Sequence, residues 1–392
     1  MSVGIGSKSI LAYAIESTYG TFPGGTPAGT QLGIISENIQ SSRSSFASSE
    51  INPTRQMTSI RSGNVAAAGE INMEFSPNVL GMLLKHLLMP DSYTATTVTP
   101  TALTNSLAVT RGSFYTSPAN SSAVYLCTRS GTASASASTS GGPVTVDYSE
   151  ELNGTAYFQY FGAAGSIVYK HTLTAGKTKP TGGFALERQV FLDSGIQYFR
   201  YTGGRINTWS LSVPQEGIVR SNFGFIFLDL DSQSGSSLLG ANVAATDEPF
   251  AGAECVVQVK PQGGSYADDF SLSDFNLNVT NGFDDRVYSV GQRRRRDLPE
   301  GMRVITGSFN AYFENVTKFG YFTGETALAL LATFNHAGCY ATVEVKKCRL
   351  TGGSPAPVVS GNGVLTASFN FEAMTDGTND IVVTLYNTTT TY

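Results

Sequence analysis

The sequence predicts a mainly β protein: two tandem β-sandwich or barrel domains, each with a flanking α-helix, and a small β insertion in the first. Three observations lead there. Charged residues make up 14% of the chain, against roughly 25% in ordinary soluble proteins, and glycine is frequent, as in proteins of many strands and turns. Short stretches alternate between apolar and polar residues, the period of a strand with one covered face. Several of these stretches recur later in the chain, in the same order.

The first recurring block is "GEINMEF" (residues 69–75), matched by "GSFNAYF" (residues 307–313). A further glycine stands six positions before each, Gly63 and Gly301, and an arginine eight positions before that, Arg55 and Arg293. An apolar run follows the first strand, "VLGMLLKHLLM" (residues 79–89), and reads as a helix. Its expected counterpart is "GETALALLATF" (residues 324–334), where Leu328, Leu330 and Leu331 sit among good helix formers. Further on, "RYTGG" (residues 200–204) is answered by "RLTGG" (residues 349–353), and "GIVRSNFGF" (residues 217–225) by "GVLTASFNF" (residues 363–371). Each domain thus reads as strand, long loop, strand, helix and closing hairpin. The expected domains are 1–235 and 236–392, meeting in the polar, Gly/Ser-rich residues 231–249. The first carries extra chain at about residues 90–165. There "SLAVTRGSFYT" and "AVYLCTR" alternate as short strands beside the low-complexity "SGTASASASTSGG"; a disordered loop is the alternative to a β insertion.

Alternation also assigns faces. Ile71, Met73 and Phe75 share one side of the first strand, and Glu70, Asn72 and Glu74 the other. In the second, Phe309, Ala311 and Phe313 oppose Ser308, Asn310 and Tyr312. Small sheets of this kind leave open edges, which invite pairing with other chains; closure into a ring with neighbours removes them.

Other functions find little support. A net charge of −5 argues against a dedicated nucleic-acid binder. The first twenty residues lack the basic and apolar regions of a signal peptide, and no apolar run reaches the length of a membrane helix, so a soluble protein made in a cytoplasm is expected. Cys127, Cys255, Cys339 and Cys348 have no metal-site spacing, and His86, His171 and His336 do not complement them. Reduced thiols are expected, with an inter-subunit disulfide as the alternative. Nucleophile-elbow, nucleotide-loop and paired-histidine motifs are missing from the sequence. The acid pairs Glu150–Glu151 and Asp268–Asp269 read as solvated loop charges. No catalytic residue, metal or cofactor is therefore assigned.

Several segments resemble the bacteriophage tail tube proteins. "ESTYGTFP" (residues 16–23) is similar to the opening of one large group of them, "RSGNVAAAGEINMEFSPNVLGMLLKHLL" (residues 61–88) to its glycine, strand and helix segment, and "ALERQV" with "RYTGGRINTWSLSVPQEGIV" to its central hairpin. The resemblance implies tail-tube-like domains whose long sheets join in a lumen-lining barrel, in rings that stack into a tube. It also implies a long loop reaching the adjacent ring, and a virion-tail location after assembly in the bacterial host cytoplasm. The implied partners are further copies of the chain, a tape measure protein, tail terminator and distal tail proteins, with genomic DNA in transit and no membrane insertion. Single-domain members form hexameric rings, so a duplicated chain is expected to close as a homotrimer with pseudo-six-fold symmetry, six chains being the alternative. On this reading Glu70, Asn72, Glu74, Ser308 and Asn310 line the lumen. The basic run "QRRRRD" puts Arg293, Arg294, Arg295 and Arg296 in the long loop, at a contact with a neighbouring subunit or ring. A β-rich phage or surface adhesin that binds host glycans is the second reading.

Overall fold

The computed structural model describes residues 5–77, 79–139, 141–165, 168–244, 248–266, 269, 271–336, 338–357 and 363–392. These are mainly strands, with two α-helices, Leu80–Leu88 and Thr317–Thr323. One antiparallel row of strands runs across the molecule. It begins with Ile34–Glu37 and Gln40–Ala47 on Ile60–Glu74, followed by Arg220–Phe227 and Gly195–Val213. It continues through Leu272–Thr280, Val304–Tyr312, Thr366–Ala373 and Cys339–Ser354. The two longest strands, Gly195–Val213 and Cys339–Ser354, also enter a second layer. There Gly195–Val213 pairs with Phe184–Leu192 and Asp229–Ser234, and Cys339–Ser354 with Leu328–His336 and Ile381–Asn387. A single apolar cluster draws on both layers and both halves of the chain, with Ile71, Trp209, Phe223, Phe275, Phe309 and Val343 among its members. Burial of each such side chain is worth about 1.5–3 kcal/mol, so this cluster carries the fold.

The two halves repeat their pairing register. Phe225 lies opposite Gly69, and Phe371 opposite Gly307. Leu186 faces Tyr201 as Leu330 faces Val345, and Ile206 faces Phe225 as Leu350 faces Phe371. Each half has the same one-residue skip, between Ile34 and Ser36 in one and between Leu272 and Asp274 in the other. The recurring glycines sit where strands crowd. A Cβ on Gly69 would stand 2.4 Å from the Ile39 Cα, and one on Gly307 would stand 2.3 Å from the Asn276 carbonyl oxygen. Within the chain the halves are zipped together, residues 208–213 pairing with residues 275–280.

Helix Leu80–Leu88 forms as its sequence predicts, burying Leu80, Leu83, Leu84, Leu87 and Leu88 along one stripe. It ends where Met89 turns left-handed and returns its N–H to the Lys85 carbonyl, just before Pro90. The expected helix over residues 324–334 is instead the strand Leu328–His336, with the short helix Thr317–Thr323 ahead of it. That strand is paired on both edges, to Cys255–Pro261 and to Cys339–Ser354, and six of its first seven residues are buried. Tertiary pairing overrides the helix propensity of Leu and Ala. The expected match of residues 200–204 with residues 349–353 is also displaced. The shared register sets Arg349 against Arg205, whereas Arg200 lies opposite Glu187 in the second layer.

The extra chain of the first half is folded. Thr101–Ala102, Phe114–Ser117, Asn120–Arg129, Ala156–Ala163 and Glu150–Asn153 form a five-stranded sheet over its own core of Tyr125, Cys127 and Phe158. Its root is narrower than residues 90–165, because Ala95–Thr97 pairs with Tyr169–Thr174 in the body. Val98 N–H donates to the Val168 carbonyl at 2.8 Å, holding the two ends side by side. Phe114, Val124 and Phe161 pack on Tyr340, with Tyr386 alongside. Those tyrosines alternate with core residues Ala341, Val343, Val383 and Leu385, so the insertion covers the outer face of the second layer.

Candidate functional site

The side of the strand row turned away from the core is polar across its whole width. Glu70 is exposed there, and Asn72, Glu74, Ser308 and Asn310 are half-buried, while Ile71, Met73, Phe309 and Ala311 are buried beneath them. Pairing register orders the face into rows. One row runs Asn72, Asn222, Ser210, Asn278, Thr306 and Glu372. The next runs Glu74, Arg220, Ser212, Asn276, Ser308 and Asn370. All five sequence-assigned lumen residues therefore share one surface. Its charged members are Glu70, Glu74, Asp274 and Glu372 against Arg220 and Arg349, an acidic balance diluted by amides and hydroxyls. Short bonds tie the amides down: Asn222 Nδ2 donates to Glu70 Oε2 at 3.0 Å, Asn310 Nδ2 to Asp274 Oδ2 at 2.6 Å, and Asn72 Nδ2 to Ser36 Oγ at 3.0 Å.

Both ends of the row are open. Among the described residues, Gln40–Ala47 pairs only with Ile60–Glu74, and residues 349–354 only with Thr366–Ala373. Unsatisfied ladder edges of this kind are association chemistry.

The arginine run is divided by the fold. Arg295 is buried within its own chain. Its Nε donates to the Asp285 carbonyl at 2.7 Å, Nη1 to the Phe227 carbonyl at 2.8 Å, and Nη2 to the Asp285 carboxylate at 3.0 Å. That corrects its expected place at a neighbour contact: a buried guanidinium needs acceptors on every side, and here the carbonyls and a carboxylate of its own chain provide them. Arg294 pairs with Asp229 at 2.6 Å while staying half exposed, and Arg293 and Arg296 are exposed.

Residues 16–23 are a structural knot. The buried Glu16 carboxylate accepts N–H bonds from Gly20 and Gly203, both at 2.7 Å, and the Arg205 guanidinium lies 4.5 Å over the Tyr19 ring. Burial, only partly offset by those N–H donors and by Arg205, raises the pKa of Glu16. The second half keeps the backbone part of this knot. Gln262 N–H donates to the Ala327 carbonyl as Glu16 N–H does to that of Gly183.

The other candidates do not converge. Glu150 pairs with Arg129, Glu151 accepts two backbone N–H bonds, and Asp269 pairs with Lys318, while Asp268 lies outside the described residues. Cys127 and Cys348 are buried, and burial pushes both thiols up to about 12, away from the reactive thiolate. Among the described residues no helix is long and apolar enough to cross a membrane, and no group of three or more His, Cys, Asp or Glu is placed to hold a metal.

A family model for the phage tail tube protein matches residues 6–373. The chain belongs to that family. No curated protein matches it. Its role is structural, in the tail tube of the virion, and the adhesin reading has no support. Sequence reasoning located the polar face of the strand row from alternation alone. It missed His336, which sits between Glu254 at 2.5 Å and Glu248 at 2.9 Å, because those acids lie far away in sequence.

Proposed function

We propose that this chain is a duplicated tail tube subunit, with domains at about 1–235 and 236–392, that closes as a trimer into a pseudo-six-fold ring. The observation that carries the reading is the zip between residues 208–213 and residues 275–280. It joins the halves edge to edge, and the edges left open at the two ends of the row are the counterparts of the pair already joined. Repeating that joint between chains gives a closed barrel without edges. The polar face would then line the bore, with Glu70, Asn72, Glu74, Ser308 and Asn310 on its wall. DNA carries about one negative charge per 1.7 Å of axis, so an acidic-to-neutral wall lets it slide. The insertion, on the outer face of the second layer, would stand outside the tube. Rings would stack around a tape measure protein between distal tail and terminator proteins, and the tube would later conduct the genome. Arg293, Arg294 and Arg296 would meet carboxylates of a neighbouring subunit or ring.

Electron microscopy of the purified protein tests this. Three-fold rings or uniform tubes support the reading; a chain that stays monomeric at every concentration and salt condition counts against it.

A further inference from the structure

The two halves also meet in the second layer, where Tyr169–Thr174 of the first pairs with Ile381–Asn387 of the second and His171 lies opposite Leu385. Beyond that strand, residues 388–392 turn back onto the first half. The Tyr392 ring rests on the His171 ring, with centroids 4.6 Å apart. It is also seated on the helix Leu80–Leu88 at Gly81, where a Cβ would collide with it. Glycine inside a helix is less favourable than alanine, and the seated ring is the reason for it here.

A circuit of hydrogen bonds holds the ring, and its donors and acceptors have one order. Asn387 Nδ2 donates to the Pro77 carbonyl at 3.3 Å and to the Tyr392 hydroxyl at 2.5 Å, while Asn387 Oδ1 accepts the Thr389 N–H at 3.0 Å. Oδ1 therefore faces His171 Nε2, 3.1 Å away, and that nitrogen carries the proton. Tyr93 Oη accepts the Tyr392 N–H at 3.1 Å and gives its own hydrogen to His171 Nδ1 at 2.6 Å. Lys85 Nζ closes the socket, donating to the Tyr392 main-chain oxygen at 2.5 Å and lying 4.5 Å over the Tyr93 ring.

We propose that residues 388–392 are a latch that clamps the second half onto the first and opens in acid, when His171 takes up a proton. The circuit accepts the neutral imidazole alone. A second proton would occupy Nδ1, where the Tyr93 hydrogen now points, and would bury a positive charge beside the Lys85 ammonium. The other titratable groups around the ring are the phenols of Tyr93, Tyr169 and Tyr392, which bring no negative charge. His171 and Asn387 are both fully buried, and burial lowers the pKa of His171, offset in part by its bonds to Asn387 and Thr389. The stabilisation is therefore complete above the ordinary imidazole value of about 6.5 and is lost as pH falls through the lowered folded value. The latch lies within one chain, so it does not depend on how the rings close.

Hydrogen exchange of the whole chain, corrected for the intrinsic effect of pH, tests this at the Thr389 and Tyr392 amides. Protection there should fall about tenfold between about pH 7 and about pH 5. It should stay flat in His171→Gln, whose amide can bridge Tyr93 and Asn387 without titrating. Gly81→Ala should abolish the protection even at about pH 7, although alanine favours the helix itself. Protection that is flat in wild type, that falls equally in His171→Gln, or that survives in Gly81→Ala overturns the latch. Should His171→Gln not fold, nitrogen NMR of labelled histidine decides, since the chain has 3. Wild-type His171 should be neutral and protonated at Nε2 at about pH 7, and should titrate closer to about 6.5 in Tyr392→Ala. An Nδ1–H tautomer, or a titration that Tyr392→Ala leaves unchanged, overturns it equally.

Discussion

Arg295→Met separates an internal arginine from its external neighbours. The guanidinium side chain is 3% exposed and donates to the Asp285 and Phe227 carbonyls at 2.7 and 2.8 Å, with a weaker approach to Ala67. Methionine keeps most of the packing volume but leaves those carbonyls without a donor. Each unsatisfied buried acceptor costs about 1–3 kcal/mol, and the removed guanidinium desolvation returns part of that, so the loop over residues 281–303 should lose about 3 kcal/mol of docking energy. The exposed side of the ion pair adds little, since Asp285 is half exposed. A loss of that size is about a hundredfold in the local opening equilibrium. Native-state hydrogen exchange reads it directly at two amides: Arg296 N–H, bonded to the Val287 carbonyl at 3.0 Å, and Val65 N–H, bonded to the Arg293 carbonyl at 2.9 Å. Both should exchange about a hundredfold faster, whereas Arg293→Ser and Arg296→Ser should stay within about 0.5 kcal/mol of wild type. Wild-type exchange at both amides in Arg295→Met would refute the assignment of Arg295 to the interior.

Other expectations concern pH, the bore and the insertion. Burial alone would lower the pKa of His336, but its bonds to Glu248 and Glu254 outweigh that and leave it raised. Its stabilisation is therefore complete below the ordinary imidazole value of about 6.5 and is lost as pH climbs through the raised folded value. Exchange protection at Ala251 and Glu254 should fall over that window in wild type and stay flat in His336→Gln. Replacing Glu70 and Glu74 together with Lys should leave tubes intact by microscopy yet slow DNA release from infectious particles by about tenfold, through attraction to phosphates. Unchanged release would place that face away from the DNA path. Deleting the chain between Val98 and Val168 behind a short Gly-Ser linker, with Tyr340 and Tyr386 changed to Thr to keep the bared surface soluble, should still give closed rings. Loss of closure would make the insertion part of the ring joint.

The strand stretches at residues 69–75 and 307–313 were legible because each has one wet and one buried face, so period-two alternation survives in the sequence. Leu328–His336 was not, because a strand buried on both faces shows no alternation and its Leu and Ala are good helix formers. The polar face could be assigned for the same reason as its strands. The division of the arginine run could not: nothing local distinguishes Arg295 from Arg293, and the difference is made by carbonyls of Phe227 and Ala67, far away in sequence. The repeated "TGG" misled because identity over a few residues is weaker than pairing register, which sets Arg349 against Arg205.

The central claim is that two halves of one chain supply two of six equivalent positions around a bore. A reconstruction of the assembled tube, with rotational symmetry determined from the density, tests it most directly. Three chains per ring, three insertions on the outside and Glu70 and Asn310 facing the channel are the predicted result. Six chains per ring, or insertion density inside the bore, would contradict it.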